Sequence, residues 1–398
     1  VEVTLLGTGG PEGLPRPGCP CAACATALGE WTRAATALLV DDALLLDLTP
    51  GAALAAARAG HSLAGVRQVL LSHPHDGPAL EVPAGLPRPG RVPDGRELAL
   101  LTGHRVRAVA LDAPGTGYAV TGPDGERLLY LPPGTAPAGA SDEGPYDMVL
   151  ADVAGRPDAL ARLRAAGALG PTTDVIAVHL DHDVPPGPEA DRRLAAAGAR
   201  AVPDGATLDV GAYRDVPDLP RRTFVLGGAR SGKSVEAERR LEAFPDVVYV
   251  ATGGSRNGDS EWAERVHLHR ERRPGSWRTE ETCDLLPLLN DDGPPLLIDC
   301  LSLWLTHVMD ETGAWDEAEW AGGGERELRR KVRELTKAVR ATRRTVVAVS
   351  NEVGSGIVPA TASGRRYRDE LGRLNAAFAA ECEQVLLVVA GQTMVLRG

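Results

Sequence analysis

The sequence predicts an α/β protein of two domains, β-rich in its N-terminal half and built on a mostly parallel sheet flanked by helices in its C-terminal half. Its 398 residues exceed what one hydrophobic core usually serves, and its apolar fraction of 43% is ordinary for a globular chain. From residue 1 to about 210, short apolar runs ("VEVTLLG", "ALLLDL", "VRQVLLS", "RVRAVAL", "RLLYL", "DMVLADV", "DVIAVHL") are separated by Gly/Pro/Asp turns, with only brief alanine-rich helical stretches between them. Beyond "GAYRDVPDLPRR" (residues 211–222), whose prolines and charges suit an exposed linker, strands alternate with longer amphipathic helices. The expected domains are therefore 1–210 and 223–398, joined by 211–222.

Composition excludes several classes of function. A formal charge of −11 argues against a nucleic-acid or anionic-membrane binder, because both need a net cationic face. Asp41, Asp42 and Asp47 interrupt "ALLVDDALLLDL", so no window resembles a membrane span, and "VEVTLLGTGG" lacks the basic and apolar regions of a signal peptide. A cytoplasmic location is expected. Three of the six cysteines crowd into "CPCAAC" (Cys19, Cys21, Cys24) while Cys283, Cys300 and Cys382 are scattered, which suits one metal cluster in a reduced compartment better than a disulfide framework.

In the N-terminal half, "GTGGPEGLPRPGCPCAAC", "LLLDLTPG" and "VLLSHPHDGP" together resemble the metallo-β-lactamase superfamily, in particular its phosphoribosyl cyclic phosphodiesterase branch. The resemblance implies an αββα sandwich and a structural zinc on Cys19, Cys21, Cys24 and His182, a closed shell that stabilises and does not catalyse. It also implies a damaged catalytic centre. The superfamily's H-x-H-x-D-H is "HPHDGP" here, with Gly77 and Pro78 at ligand positions and Asp76 one place early. No later histidine stands in "VALDAPGTGYAV", and "PPGT" follows "RLLYL" where a bridging aspartate is expected. His73, His75 and His179 survive, enough for at most a weak mononuclear site, and a pseudoenzyme domain is expected.

The C-terminal half carries sharper chemistry. "RTFVLGGARSGKS" places an apolar strand before Gly227, Gly228, Ala229, Arg230, Ser231, Gly232, Lys233 and Ser234, and "VEAERRLEAF" continues as a helix. This is G-x-x-x-x-G-K-[ST] in its strand, loop, helix context: backbone N–H groups cradle a polyphosphate, Lys233 reaches its β/γ oxygens and the Ser234 hydroxyl ligates Mg²⁺. "PPLLIDCLSLWL" runs a strand into Asp299, where a carboxylate can hold the metal's water shell. "DVVYVATGG" and "RTVVAVSNEVGSGIVP" are further strands opening into polar loops, so Thr252, Asn351 and Glu352 are expected to line the same crevice. "GERELRRKVRELTKAVRATRR" reads as a helix whose Glu and Arg side chains pair on a solvated face.

Together "GGARSGKS", "YVATGG", "EWAERVHLHRERRPGSWRTEE", "LLIDCLSLWLT", "SNEVGSGIVP" and "VVAGQTMVLRG" resemble, in order from about residue 222 onward, the bifunctional adenosylcobinamide kinase/adenosylcobinamide-phosphate guanylyltransferase family. The resemblance implies RecA-like topology and one nucleotide site performing two reactions of cobalamin biosynthesis. An NTP phosphorylates adenosylcobinamide; GTP then guanylylates a histidine, and the phosphate ester takes GMP from it to give adenosylcobinamide-GDP. His269 matches that histidine; Leu268 stands where the family often has another, and His267 has no counterpart. Arg270 and Arg273 would contact phosphates, and Glu281 and Asp299 match acidic positions associated with nucleotide or metal binding. Cofactors implied are GTP or ATP, Mg²⁺ and structural zinc; a homotrimer is implied by the family. The alternative is a metal-dependent phosphodiesterase fused to an auxiliary P-loop NTPase, and a non-enzymatic one makes the N-terminal domain a docking module.

Overall fold

A computed structural model describes the chain apart from residues 74–81, 140–143, 213, 215–218 and 254–272. The chain separates into two compact units, Val1–Leu219 and Pro220–Gly398.

The first unit contains β1 (Glu2–Gly7), β2 (Ala37–Val40), β3 (Leu44–Leu46), β4 (Gln68–Leu70), β5 (Glu97–Ala99), β6 (Arg105–Val109), β7 (Gly117–Thr121), β8 (Arg127–Tyr130), β9 (Tyr146–Ala151), β10 (Leu169–Ala177) and β11 (Thr207–Asp209). They form two sheets, in the orders β11-β1-β2-β3-β4 and β10-β9-β8-β7-β6-β5. Val3, Leu5, Leu38, Leu44 and Leu70 of the first sheet meet Val106, Tyr118, Leu128, Tyr130 and Ile176 of the second in one buried cluster. Because side chains alternate across a strand, Leu6, Leu39, Leu45 and Val69 fall on the opposite face, where the helix Ala52–Arg58 covers them with Ala52 and Ala56. The helix Asp158–Ala165 buries Ala159, Leu160 and Leu163 and packs on β10. The layers are thus helix, sheet, sheet, helix.

The second unit is a seven-stranded sheet. Its strands are β12 (Arg222–Gly227), β13 (Val248–Ala251), β14 (Arg278–Glu281), β15 (Leu296–Asp299), β16 (Val346–Asn351), β17 (Gln384–Val389) and β18 (Gln392–Arg397). Their order is β14-β13-β15-β16-β12-β17-β18, with β17 and β18 the antiparallel pair and the other neighbours parallel. Both faces are covered, which is why the central strands read as continuous apolar runs. Phe224, Val250, Ile298 and Ala348 pack beneath the helices Leu301–Glu311, Glu325–Ala341 and Ala362–Ala379. Val225, Tyr249, Leu297 and Val347 face the other way, with Ala237 of the helix Lys233–Arg239.

Two helices differ from the sequence expectation. The helix after the glycine loop ends at Arg239 instead of running through "LEAF". The N–H groups of Leu241 and Phe244 bond to the carbonyls of Glu238 and Leu241, tightening the chain into turns ahead of Pro245. Glu325–Ala341 carries the expected surface pairs, Arg330 with Glu327 and Glu334, but also buries a stripe of Leu328, Leu335, Ala338 and Val339, so packing holds it as much as charge.

Candidate functional site

The parallel strands of the second unit end on a common edge. The register sets Gly227 beside Asn351, Val349 beside Asp299, and Asp299 beside Ala251, which in turn lies beside Glu281. Asp299 is therefore level with Glu281 and two strand spacings, about 10 Å, from it, while Gly227, also two strands away, stands two residues further along the edge.

The loop leaving β12 is shaped by positions that admit only glycine. A Cβ on Gly227 would stand 2.4 Å from Ser231 Oγ and 2.7 Å from the Val388 carbonyl oxygen. Gly232 has φ +97°, and a Cβ there would meet Gly391 Cα at 3.3 Å. The loop is pinned from below by the Gly391 N–H donating to the Ser231 carbonyl (2.8 Å) and the Glu352 N–H donating to the Gly227 carbonyl (3.1 Å). Gly228, Ala229 and Arg230 are exposed at the rim, while Ser231 and Lys233 are buried. Lys233 opens the helix and its Nζ donates to the Gly228 carbonyl at 3.0 Å, so the ammonium lies across the loop; Ser234, half-buried, follows it in the first turn.

Asp299, at the end of β15, is held by Tyr249, whose hydroxyl donates to its Oδ2 at 2.8 Å. Burial, with the neighbouring carboxylate, raises the Tyr249 phenol far above its ordinary range, so it remains a donor. The guanidinium of Arg273 stacks 3.6 Å from the centre of the Tyr249 ring and donates to Thr279 Oγ1 at 3.3 Å. Thr252 lies at the end of β13, but its hydroxyl donates to the Cys300 carbonyl (2.7 Å) and accepts from the Cys300 N–H (2.9 Å). It is buried and acts as a clamp between strand ends, offering the crevice no side-chain group. Asn351 donates to Ser302 Oγ at 3.1 Å, and Glu352 folds back to accept from the Gly354 N–H at 2.7 Å. Glu281 ends the edge strand β14. His267, Leu268, His269 and Arg270 lie outside the described residues.

Sequence reasoning did not single out Tyr249, Ser302 or Gly391. Tyr249 reads as one more apolar strand residue until the register places it beside Leu297, two residues before Asp299 on the same face.

In the first unit, Cys19, Cys21, Cys24 and His182 converge, their donor atoms all within 4.8 Å of one another. His182 Nδ1 lies 3.3 Å from Cys19 Sγ and 3.6 Å from the sulfurs of Cys21 and Cys24. The Cys24 N–H points at Cys21 Sγ and lowers that thiol to about 7, while burial raises Cys24 to about 11. Three sulfurs and one imidazole at this spacing fit a tetrahedral soft-metal shell. Arg16 forms a two-pronged ion pair with Asp181, and Asp181 Oδ1 accepts the His182 N–H at 2.7 Å, which fixes the chain that presents the imidazole.

His73 Nδ1 lies 3.7 Å from Oδ2 of a fully buried Asp47 that already accepts hydrogen bonds at both oxygens. Its Oδ1 accepts the Ser72 N–H (2.7 Å), and its Oδ2 accepts the Ser72 and Tyr130 hydroxyls, both at 2.6 Å. His179 donates from Nε2 to the Leu131 carbonyl at 3.2 Å, and burial, aided by His73, lowers its pKa to about 3, so it is neutral. His75, Asp76, Gly77 and Pro78 lie outside the described residues.

A glycine loop with a buried lysine at the head of a helix, facing a carboxylate on the same sheet edge, defines the second unit as a nucleotide-binding α/β domain. A sequence profile for cobinamide kinase / cobinamide phosphate guanyltransferase matches residues 223–396. The bifunctional adenosylcobalamin biosynthesis protein CobP of Pseudomonas aeruginosa is 42% identical over 184 residues, 44% of this chain and 98% of that protein. CobU of Salmonella typhimurium is 38% identical over 179 residues, 42% of this chain and 95% of that protein. This chain belongs, through its C-terminal unit, to the cobinamide kinase / cobinamide phosphate guanyltransferase family. Among solved structures, a diphosphatase of the PhnP family aligns at 18% identity and TM-score 0.39, covering 52% of this chain and 97% of the other. Zn²⁺-bound PqqB from Methylobacterium extorquens aligns at 18% identity and TM-score 0.38, covering 52% and 100%.

Proposed function

We propose that the second unit phosphorylates adenosylcobinamide and then transfers GMP from GTP to the phosphate it has made. The observation that carries this reading is the meeting of the glycine loop, Lys233 and Asp299 on one sheet edge within a chain region that belongs to this family. One nucleotide site serves both steps. Backbone N–H groups of residues 228–234 and the Lys233 ammonium hold the β/γ phosphates in both steps, and Arg270 and Arg273 neutralise the phosphate that His269 attacks. Ser234 and Asp299 would hold Mg²⁺, which supplies charge neutralisation at the transferring phosphoryl group.

In the first reaction the aminopropanol hydroxyl attacks the γ-phosphorus, and the nucleoside diphosphate leaves. In the second the neutral imidazole of His269 attacks the α-phosphorus of GTP; an N–P bond forms and pyrophosphate leaves. The adenosylcobinamide phosphate oxygen then attacks the same phosphorus, the N–P bond breaks, and adenosylcobinamide-GDP results. Thr252 keeps the strand ends together, and Glu281, at the end of the edge strand, is read as a nucleotide-binding carboxylate. The first unit contributes a structural zinc on Cys19, Cys21, Cys24 and His182 and no two-metal hydrolytic centre. A cytoplasmic homo-oligomer completes the proposal.

The test is incubation with α-labelled GTP. Acid-labile, base-stable label is expected on wild type and absent from His269→Ala, which retains phosphorylation of adenosylcobinamide; His267→Ala labels normally. Wild type without label would overturn the guanylyl-histidine reading.

A further inference from the structure

Tyr249 joins two groups that the proposed reactions use for different purposes. Its hydroxyl bonds to Asp299 Oδ2 at 2.8 Å, and its ring carries the Arg273 guanidinium at 3.6 Å. The three residues come from separate places: Asp299 ends β15, Tyr249 lies on β13 between β14 and β15, and Arg273 precedes β14. The ring cannot turn freely, because Tyr249 is 6% exposed and packs in the cluster containing Trp277, Leu297 and Cys300. Thr279, its register partner on β14, accepts the Arg273 hydrogen bond at 3.3 Å, so the guanidinium is fixed from a second side.

We infer that Tyr249 is a positioning residue acting through its two ends on the two chemistries: the hydroxyl orients the Asp299 carboxylate, and the ring seats Arg273. This rests on the functional reading given above. With Oδ2 occupied by the phenol, the carboxylate is locked in one rotamer and Oδ1 is the oxygen presented to a metal's water shell. Fixing that rotamer matters wherever a magnesium-bound phosphate is handled, which is both reactions. The seat for Arg273 matters differently, since this arginine stands four residues after His269, the proposed nucleophile. A cation docked on a rigid aromatic face holds in one place the guanidinium proposed above to neutralise the phosphate that His269 attacks, a requirement of nucleotidyl transfer and not of γ-phosphoryl transfer.

Two substitutions separate the ends. Tyr249→Phe keeps the ring and removes the hydroxyl; Tyr249→Leu removes both. For Tyr249→Phe the Mg²⁺ concentration giving half-maximal rate should rise roughly tenfold in both reactions, the usual effect of deleting a carboxylate's outer partner, with the ratio of guanylylation to phosphorylation unchanged. For Tyr249→Leu that ratio should fall roughly three-fold, the loss of a partly exposed cation–π seat. Arg273→Ala, which leaves the strand core intact, should lower the same ratio without moving the Mg²⁺ midpoint of phosphorylation. An unchanged Mg²⁺ midpoint in Tyr249→Phe, or an unchanged ratio in both Tyr249→Leu and Arg273→Ala, overturns the inference. Absence of both activities from wild type would instead overturn the functional reading beneath it.

Discussion

Gly227→Ala is the sharpest probe of the nucleotide loop. The added methyl would lie 2.7 Å from the Val388 carbonyl oxygen, a backbone atom of the neighbouring strand that cannot swing away, and 2.4 Å from Ser231 Oγ. Either the β12 to β17 pairing opens or the loop lifts, and overpacking of this kind costs about 1–3 kcal/mol. For a unit spanning Pro220–Gly398 this corresponds to a fall in Tm of about 2–12 °C, taking about 2–4 °C per kcal/mol for a domain of that size. Displacing the loop also breaks the Gly391 to Ser231 and Glu352 to Gly227 bonds that set the direction of its N–H groups, so GTP affinity should fall at least tenfold. The neighbour supplies the control: a methyl on Gly228 would have no atom within 4 Å, and the residue has no left-handed φ, so Gly228→Ala should melt within about 1 °C of wild type. Differential scanning calorimetry and titration with GTP read both quantities. A Gly227→Ala protein with wild-type Tm and wild-type GTP affinity would refute the steric argument.

Other outcomes follow from the same contacts. Lys233→Ala should lower phosphorylation and guanylylation together by about 100-fold or more, since on the proposed reading one ammonium serves both steps; loss of only one activity in single-turnover assays would point to a second nucleotide site. Purified protein should hold about one zinc per chain by elemental analysis. Cys21→Ser should lose it and destabilise Val1–Leu219 while GTP binding persists; full zinc retention would reject the Cys₃His assignment. His179, lowered to about 3 from an ordinary 6.5, is neutral in the fold, so its contribution is fully present above pH 6.5 and is lost as pH falls from there toward 3. Denaturant unfolding of the first unit should therefore weaken by on the order of a few kcal/mol across that window, and His179→Gln should flatten the dependence; equal pH slopes in both proteins would contradict it.

The nucleotide loop was legible in the sequence because its physics is local. Gly227 and Gly232 answer to contacts and dihedrals within a few residues, and Lys233 and Ser234 follow at fixed offsets along one helix start. The cysteine cluster was only half legible. Cys19, Cys21 and Cys24 are neighbours in the chain, whereas His182 came only through the family resemblance, since it reaches them where Leu180 bridges to Gly9, a contact no spacing rule contains. Tyr249 was not legible at all: its role depends on which strand lies beside β13, and the sheet order β13-β15 reverses chain proximity. The edge strands β5 and β18 also escaped the apolar pattern, because neither face of such a strand is continuously buried.

The division between legible and hidden residues follows the division between holding a phosphate and directing its chemistry. Backbone N–H groups bind a polyphosphate wherever glycine permits the turn, so the binding loop carries its signature in one short run. On the proposed reading, choosing between γ-phosphoryl and nucleotidyl transfer involves Asp299 and Arg273, whose mutual position depends on packing between β13, β14 and β15. A change in the loop should therefore scale both activities alike, whereas removal of the Tyr249 ring that seats Arg273 should alter their ratio. That ratio, more than either rate, reports how the sheet beneath the loop sets the chemistry performed upon it.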